Sequence, residues 1–172
     1  MIDRAHRWWM ALYAVWSCAL VGELVLLFLR PAGAIGWLRW LGWALFAISA
    51  ILGWVPIFAF HRRGGVGKGK SYVHTTELVT SGLYALVRHP QYLAGDFIVA
   101  ATICITQWWP TAAIGAVAIA TNRLSMVKAD RDLVAKFGAP YRRYMRSVPR
   151  ASLVVGLWRR LHAERCGSAA EE

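Results

Sequence analysis

Residues 8–29 read WWMALYAVWSCALVGELVLLFL, an apolar run in which Glu23 is the only charged residue. Arg30 and Pro31 end the run with a charge and with a residue that interrupts helices. A helix of about 20 apolar residues crosses the hydrocarbon core of a bilayer. No small-residue cleavage site follows the run, so it resembles a retained span more than a signal peptide. The stretch therefore predicts a transmembrane helix.

Two further apolar stretches predict three more spans. Residues 35–60 form the second span, with tryptophans near its start as interface anchors and Pro56 as a kink toward its end. Residues 92–127 are too long for one span, and Trp-Trp-Pro at 108–110 divides them into two helices of about 18 residues. The expected fold is all-α: a polytopic membrane helical bundle of about four transmembrane helices, with a helical hairpin and a cytoplasmic C-terminal helix.

The chain combines 58% hydrophobic residues with a net charge of +11, and the two properties occupy different segments. Of the 20 Lys and Arg residues, five lie between Arg62 and Arg88 and eleven from Arg123 onward, whereas the hairpin tip has none. The positive-inside rule then places both termini and residues 61–90 in the cytoplasm, in a multi-pass protein of the inner (cytoplasmic) membrane. We expect the basic segments to meet membrane lipids and predict no nucleic-acid partner.

No Pro/Ser-rich linker divides the chain, so residues 1–172 are predicted to form a single membrane domain. Residues 1–60 hold the first two spans, residues 61–150 the functional core, and residues 151–172 a C-terminal tail. The basic, glycine-rich sequence HRRGGVGKGKS at 61–71 lacks the spacing of a phosphate-binding loop. A solvated loop near anionic headgroups is its simpler interpretation.

Residues 128–146 predict a further polar helix that lies against the membrane surface or caps the bundle. The sequence Phe-Gly-Ala-Pro at 137–140 interrupts it. Its apolar residues recur every three or four positions, which predicts one buried stripe. The stripe consists of Leu133, Phe137, Tyr141, Tyr144 and Val148.

Five polar residues are expected at the cytoplasmic mouth of the third helix: Tyr84, Arg88, His89, Tyr92 and Asp96. If the helix begins at His89, then His89, Tyr92 and Asp96 share one face and line a polar pocket. Alternatively, Arg88 and His89 form an ordinary interfacial cap, and a neighbouring helix satisfies Asp96. Polar groups at this depth are costly without partners, so both interpretations require contacts.

Glu23 and the cysteines are less specific signals. An intramembrane carboxylate is a candidate for a functional site, although a neutral or paired structural role explains Glu23 at least as well. Cys18, Cys104 and Cys166 lack the spacing of a disulfide framework or a zinc site. No metal site is predicted.

A series of motifs runs through the second half of the chain. Leu-Val-Thr-Ser-Gly-Leu-Tyr occupies 78–84, Arg-His-Pro-Gln-Tyr occupies 88–92 with Gly95 after it, and Asp-Arg-Asp-Leu occupies 130–133. Phe-Gly-x-x-Tyr-x-x-Tyr-x-x-x-Val-Pro-Arg follows at 137–150. In this order and spacing the motifs resemble the isoprenylcysteine carboxyl methyltransferase family and its phospholipid methyltransferase relatives.

The resemblance covers residues 72–150, about half the chain, and makes residues 61–150 the methyltransferase core. It implies an integral membrane methyltransferase that binds S-adenosyl-L-methionine without a Rossmann sheet, and the chain has no strand followed by a Gly-x-Gly-x-x-Gly turn. The implied cofactor contacts are Leu78, Val79, Tyr84, His89, Pro90, Gln91, Tyr92 and Asp130. Arg88, Lys128 or Arg131 would meet the carboxylate of the cofactor, and Asp130 its ammonium group or ribose.

Two positions depart from the family pattern. The family commonly has adjacent glutamates where this chain has Ala129 and Asp130, so one carboxylate is missing and the other is shorter. A histidine often found just before the Leu-Val-Thr-Ser-Gly sequence is replaced by Thr76, and His74 stands two positions earlier. Both departures lie beside expected cofactor contacts.

The implied reaction is methyl transfer to a lipophilic acceptor, such as a small isoprenoid or the carboxylate of a prenylated cysteine. The sulfonium methyl group is already activated, so the protein mainly aligns the nucleophile and excludes water. For a carboxylate acceptor the expected catalytic cation is Arg123, which aligns near a substrate-binding arginine of the family, and Arg88 is the second candidate. For an amine or a phenol, His89 or Asp96 would remove the proton.

Two other functions remain open from the sequence. A membrane reductase on a related helical scaffold would bind a nicotinamide cofactor and would need more acidic and amide groups than this chain has. A non-catalytic lipid-binding protein would tolerate substitution of His89 or Tyr92. The methyl acceptor, the choice between O- and N-methylation, and the oligomeric state are not specified by the sequence.

Overall fold

A computed structural model describes residues 4–63 and 76–168, with side chains for residues 8–59 and 76–162. Within these residues the chain forms six α-helices, one short 3₁₀ helix and no strand, which confirms the all-α prediction for this part of the chain. The α-helices are α1 (Arg4–Leu29), α2 (Gly36–Arg63), α3 (Pro90–Thr106), α4 (Trp109–Phe137), α5 (Ala139–Ser147) and α6 (Leu153–Ser168), and the 3₁₀ helix is Gly82–Ala85. Residues 64–71 of the predicted loop and His74 lie outside the described residues, whereas residues 61–63 continue α2.

Two of the described helices are long and apolar enough to cross a membrane. They are residues Trp8–Leu29 of α1 and residues Gly36–Ala59 of α2. The next helix, α3, is apolar but has only 17 residues, and the second half of α4 carries charged residues from Arg123 onward. The described chain therefore fits a helical bundle in which two helices have the length and composition of a span.

The predicted division of residues 92–127 into two helices is confirmed. The break lies at Gln107, whose φ of 50° is in the left-handed region, and α4 begins at Trp109 with Pro110 in its first turn. Proline is favoured there because the first N–H groups of a helix have no helical partner. The side-chain amide of Gln107 stabilises the turn, because Nε2 donates to the carbonyl oxygen of Ile35 (2.8 Å) and Oε1 accepts from the N–H of Ile35 (3.0 Å).

The boundary predicted between the return helix, ending at residue 127, and the polar helix that begins at residue 128 is wrong, because α4 continues to Phe137. Residues 123–137 contain no glycine or proline. The change from apolar to charged residues therefore changes the environment of the side chains but does not interrupt the helical backbone. The interruption predicted after this point is confirmed, since Gly138 has a φ of +64° and α5 follows it.

The contacts of the chain divide into two compact units. The first unit comprises residues 1–51 and 92–130, and the second comprises residues 52–91 and 131–172. Residues 151–172, treated as a tail in the sequence analysis, contain α6.

Glycines allow α2 and α4 to approach α3 closely in the first unit. A Cβ atom on Gly42 of α2 would lie 2.6 Å from Cγ1 of Ile105, and one on Gly115 of α4 would lie 2.7 Å from Cγ1 of Val99. Small residues at helix contacts let two backbones pack closely, which is the main source of helix association in lipid. The first unit is therefore organised around α3.

The second unit has the core that the apolar stripe predicted. Tyr141, Tyr144 and Val148 are buried together, and Leu133 and Phe137 pack against them. The predicted stripe is therefore confirmed as a buried cluster. Three further residues complete it: Leu78, Val134 and Met145.

Replacing Gly42 with alanine is expected to destabilise the first unit, because the new Cβ would lie 2.9 Å from the main-chain oxygen of Ala101, which cannot move aside alone. Overpacking of this kind costs about 1–3 kcal/mol. Gly22→Ala is the matched control, since no atom lies within 4 Å of its added Cβ and alanine is the better helix former. The measurement is the midpoint of thermal unfolding in detergent. Equal midpoints for the two variants would contradict the close approach.

Candidate functional site

Two of the sequence motifs meet in the second unit, although they are far apart in the chain. The hydroxyl group of Tyr144 donates a 2.5 Å hydrogen bond to the main-chain carbonyl oxygen of Tyr84, and both residues are buried. Tyr144 belongs to the motif at 137–150, and Tyr84 ends the motif at 78–84. A buried carbonyl group needs such a partner because water cannot reach it. The hydrogen bond therefore joins the two motifs directly.

Two main-chain hydrogen bonds continue this junction. The N–H of Arg88 donates to the carbonyl oxygen of Pro149 (3.0 Å), and the N–H of His89 donates to that of Arg150 (3.1 Å). The Arg-His-Pro motif is thus held by the Val-Pro-Arg end of the last motif. We call the hydrogen-bonded contact between residues 84–89 and 144–150 the motif junction.

His89 lies outside α3. The helix begins at Pro90, and the main chain of His89 is instead bonded within the motif junction. The prediction that His89, Tyr92 and Asp96 share one helix face required a helix that begins at His89. Because α3 begins at Pro90, this requirement is not met. Proline at the first helical position is favourable because it lacks the N–H group that the helix leaves unpaired.

The backbone conformation at residue 82 explains why the first motif has a glycine after Ser81. Ser81 enters the 3₁₀ helix in an extended conformation, and Gly82 then adopts a φ of +65°. Residues with a side chain rarely adopt this conformation, whereas glycine does so without steric cost. The turn brings Tyr84 into the interior of the unit, where its carbonyl oxygen accepts the hydrogen bond from Tyr144.

A cleft of about 310 Å³ opens beside the motif junction. It is lined by Thr80, Ala85, Tyr144, Ser147, Val148, Gly156, Arg159 and Arg160. Two residues with a guanidinium group and three with a hydroxyl group line this cleft, which suits a ligand that carries a carboxylate or phosphate together with hydrogen-bonding groups. We call it the basic cleft.

A second cleft of about 230 Å³ lies on the α2 side of the same segment. It is lined by Val55, Pro56, Phe58, Ala59, Ser81, Gly82 and Leu83, of which only Ser81 has a polar side chain. We call it the apolar cleft. Residues 80–85 contribute to the walls of both clefts, so one short segment separates a basic site from an apolar one.

A polar network lies in the first unit between α3 and α4. Nδ2 of Asn122 donates to the carbonyl oxygen of Tyr92 (2.8 Å) and to Oδ1 of Asp96 (2.7 Å). Nη2 of Arg123 forms an ion pair with Oδ2 of Asp96 at 2.7 Å. A neighbouring helix therefore contacts Asp96, as the alternative interpretation predicts for this residue, through a hydrogen bond at Oδ1 and an ion pair without hydrogen-bond geometry at Oδ2.

Asn122 is a residue that the sequence analysis missed. It is buried, and its amide connects the main chain of α3 with the Asp96 carboxylate. An amide in an apolar helix was the available signal, since such groups hydrogen-bond to neighbouring helices. The hydroxyl of Tyr92 also contacts α1, where it lies 3.2 Å from the hydroxyl of Tyr13.

The predicted site residues are distributed over both units. The second unit contains Leu78, Val79, Tyr84, Arg88, His89, Pro90 and Gln91, and the first contains Tyr92, Arg123 and Asp130. Asp130 is buried, whereas the Arg123 side chain is 48% exposed. No predicted cofactor residue lines either cleft described above, but Thr80 and Ala85, which adjoin Val79 and Tyr84, line the basic cleft. Arg159 and Arg160 were missed because their segment was treated as a tail.

Glu23 is fully buried in the first unit. A Cβ added to Gly115 would lie 3.3 Å from its Oε1, so the carboxyl group packs against α4. Among the described residues neither oxygen of Glu23 has a hydrogen-bond partner, and the buried hydroxyl of Thr111 also lacks one. The paired structural role of Glu23 is therefore not found in this part of the chain.

The described residues also contain no group of three His, Cys, Asp or Glu side chains arranged to hold a metal ion.

Comparison of the chain with protein-family models, with curated proteins and with solved structures finds no match. A functional assignment therefore depends on the motifs and on the chemistry of the two units.

Replacing Asn122 with alanine is expected to destabilise the first unit by about 1–3 kcal/mol, because it leaves the Tyr92 carbonyl and one Asp96 oxygen without these hydrogen bonds. Thr121→Ala is the control. The Thr121 hydroxyl bonds only to carbonyl groups of its own helix, at Val117 and Ala118, which keep their helical partners. Thermal unfolding in detergent provides the comparison, and a loss for Thr121→Ala as large as that for Asn122→Ala would argue against the network.

Proposed function

We propose that the chain is an integral membrane methyltransferase that transfers a methyl group from S-adenosyl-L-methionine to a lipophilic acceptor. The observation that carries the proposal is the motif junction, in which Tyr144 contacts Tyr84 and residues 149–150 contact Arg88 and His89. These are the segments through which the chain resembles isoprenylcysteine carboxyl methyltransferases. Segments that serve one binding site must lie together in the fold, and these do.

The chemistry of the second unit suits this cofactor. S-adenosylmethionine offers a carboxylate for cations and ribose hydroxyls for hydrogen bonding. Arg159 and Arg160 of the basic cleft can pair with the carboxylate, and the hydroxyls of Thr80 and Ser147 can bond the ribose. The cleft volume of about 310 Å³ lies at the lower end of the range of about 300–1,000 Å³ for ligand pockets.

The resemblance assigns further cofactor contacts to residues that do not line the basic cleft. They are Leu78, Val79, Tyr84, His89, Pro90 and Gln91 in the second unit and Tyr92 and Asp130 in the first. The burial of Tyr84, His89 and Asp130 supports a preorganised role, since buried polar side chains are costly unless they make specific contacts. When bound, the cofactor supplies an electrophilic methyl group on a sulfonium. The protein then has to align the acceptor, for which orientation contributes roughly 7–11 kcal/mol.

The apolar cleft supports a lipophilic acceptor, either a small molecule or a prenylated substrate. Its walls from α2 and from residues 81–83 can bury an isoprenoid or acyl chain. Because residues 80–85 also border the basic cleft, a polar cofactor and an apolar acceptor can approach the same segment from its two sides.

The proposed catalytic residues are Arg123, Arg88 and His89. Arg123 is half exposed and its guanidinium group is oriented by Asp96, so it is the first candidate to hold an acceptor carboxylate. Arg88 is the second candidate. For an amine or phenol acceptor, His89 or Asp96 would accept the proton.

A membrane location is part of the proposal. Glu23 is the only buried residue within Trp8–Leu29, so this apolar helix presents its side chains at the protein surface, where lipid suits them better than water. We place the chain in the inner (cytoplasmic) membrane as a multi-pass protein, with both termini in the cytoplasm. The two further spans are α3 and the first part of α4.

Calorimetric titration of the detergent-purified chain with S-adenosylhomocysteine tests the cofactor assignment. We expect micromolar binding that Asp130→Asn and His89→Ala weaken, because each removes a polar group from the proposed site. Asp132→Asn and His162→Ala are the matched controls. Both control side chains are exposed, and neither belongs to the cofactor contacts that the resemblance implies, so binding should stay near the wild-type level.

Lack of binding by the folded wild-type chain would exclude the methyltransferase. Binding of a nicotinamide cofactor instead would favour a membrane reductase, and binding of neither cofactor would favour a non-catalytic lipid-binding protein. Binding that is weakened equally by the control substitutions would place the cofactor elsewhere in the chain.

A further inference from the structure

Within the second unit, the helix α6 packs against the main chain of Leu86 through Gly156. This residue is buried, and a Cβ atom added to it would overlap the carbonyl oxygen of Leu86. Only glycine allows the backbone of α6 to approach the other segment so closely. The face that contains Gly156 is therefore the inner face of α6.

The outer face of α6 is apolar. Val154 is 79% exposed and Trp158 is 57% exposed, and Leu157 and Leu161 are exposed beside them. At 100° per residue, the centre of these four side chains lies about 150° around the helix from Gly156. The four residues, Val154, Leu157, Trp158 and Leu161, are called the outer stripe.

The described charged side chains of α6 lie on the side of Gly156. Arg159 and Arg160 are exposed and line the basic cleft together with Gly156. A helix at the surface of a soluble protein turns its apolar stripe inward. In the described residues 153–162 of α6 the apolar stripe is instead turned outward, which indicates that this face meets an apolar medium.

We infer that the outer stripe lies in the acyl region of a phospholipid bilayer and that α6 is an interfacial helix. Amphipathic helices of this kind bury the apolar face just below the headgroups, and Trp is favoured at this depth. Arg159 and Arg160 flank the inner face, and exposed Arg142 and Arg143 of α5 belong to the same unit. Guanidinium groups at this level complement anionic headgroup phosphates.

The charges favour lipid over a second copy of this chain. In a symmetric contact each residue of the outer stripe would meet the same stripe of the partner. Such a contact would bring together two copies of a chain whose net charge is +11. Like charges at an interface oppose association, whereas anionic lipid relieves the repulsion. The inference does not depend on the methyltransferase assignment.

Site-directed fluorescence on the full chain tests the position of α6. The native cysteines are replaced by serine, and Val154→Cys, Leu161→Cys and Ser147→Cys are labelled one at a time with an environment-sensitive fluorophore. The protein is reconstituted into vesicles of equal parts phosphatidylcholine and phosphatidylglycerol. Ser147 is the control, since it is exposed but lines the basic cleft.

We expect blue-shifted emission at positions 154 and 161, loss of their fluorescence when nitroxide-labelled lipid is added, and protection from aqueous iodide. The label at position 147 should respond to iodide and not to nitroxide lipid. Iodide quenching at 154 and 161 without nitroxide quenching would overturn the inference. Disulfide formation between copies of the unlabelled Leu161→Cys variant on addition of an oxidant, together with protection of the labelled variant from both quenchers, would also overturn it in favour of a contact between two chains.

Discussion

The hydrogen bond from the Tyr144 hydroxyl to the carbonyl oxygen of Tyr84 closes the second unit. Residues 76–89 have only a 3₁₀ helix, so most of their main-chain groups have no α-helical partner and must find one elsewhere. Tyr144, Pro149 and Arg150 supply partners for three of these groups, at Tyr84, Arg88 and His89. The cluster around Tyr141 and Val148 buries the junction, and both clefts open beside the segment that the junction holds. The proposed cofactor site thus depends on a contact that positions main chain rather than side chains.

The first unit uses a different principle. Its helices approach α3 through Gly42 and Gly115, and its polar groups are in the interior, as the contacts of Asn122 with Asp96 show. Helices in lipid gain little from burying apolar surface against one another, so close backbone packing and interhelical hydrogen bonds hold them together. A lipid environment would also account for the apolar side chains on the outside of α1. Buried polar side chains such as Asn122 and Asp96 beside this exposed apolar surface are what the proposed membrane location would require.

The two clefts and the polarity of α6 give the proposed function a physical basis. A membrane methyltransferase has to hold a charged cofactor and an apolar acceptor close together, and residues 80–85 separate a basic cleft from an apolar one. α6 contributes Arg159 and Arg160 to the basic cleft while its outer stripe faces away from it. A helix seated in the bilayer surface would bring the wall of a polar site to the phase from which a lipophilic substrate arrives.

Local pattern predicted the features that local physics controls. Runs of apolar residues identified α1 and α2, the break before Pro110 divided α3 from α4, and the three-to-four spacing from Leu133 to Val148 identified the core of the second unit. Tertiary contacts decided the rest. The helix α4 continues to Phe137 because residues 123–137 contain no glycine or proline, and a change of environment alone does not interrupt a helix. The hydrogen bond of Asn122 with Asp96 and that of Tyr144 with Tyr84 join residues that are distant in sequence. The position of Arg159 in the basic cleft depends on which face of α6 is covered. Composition and periodicity show that a face exists, but only packing against another segment selects its partner.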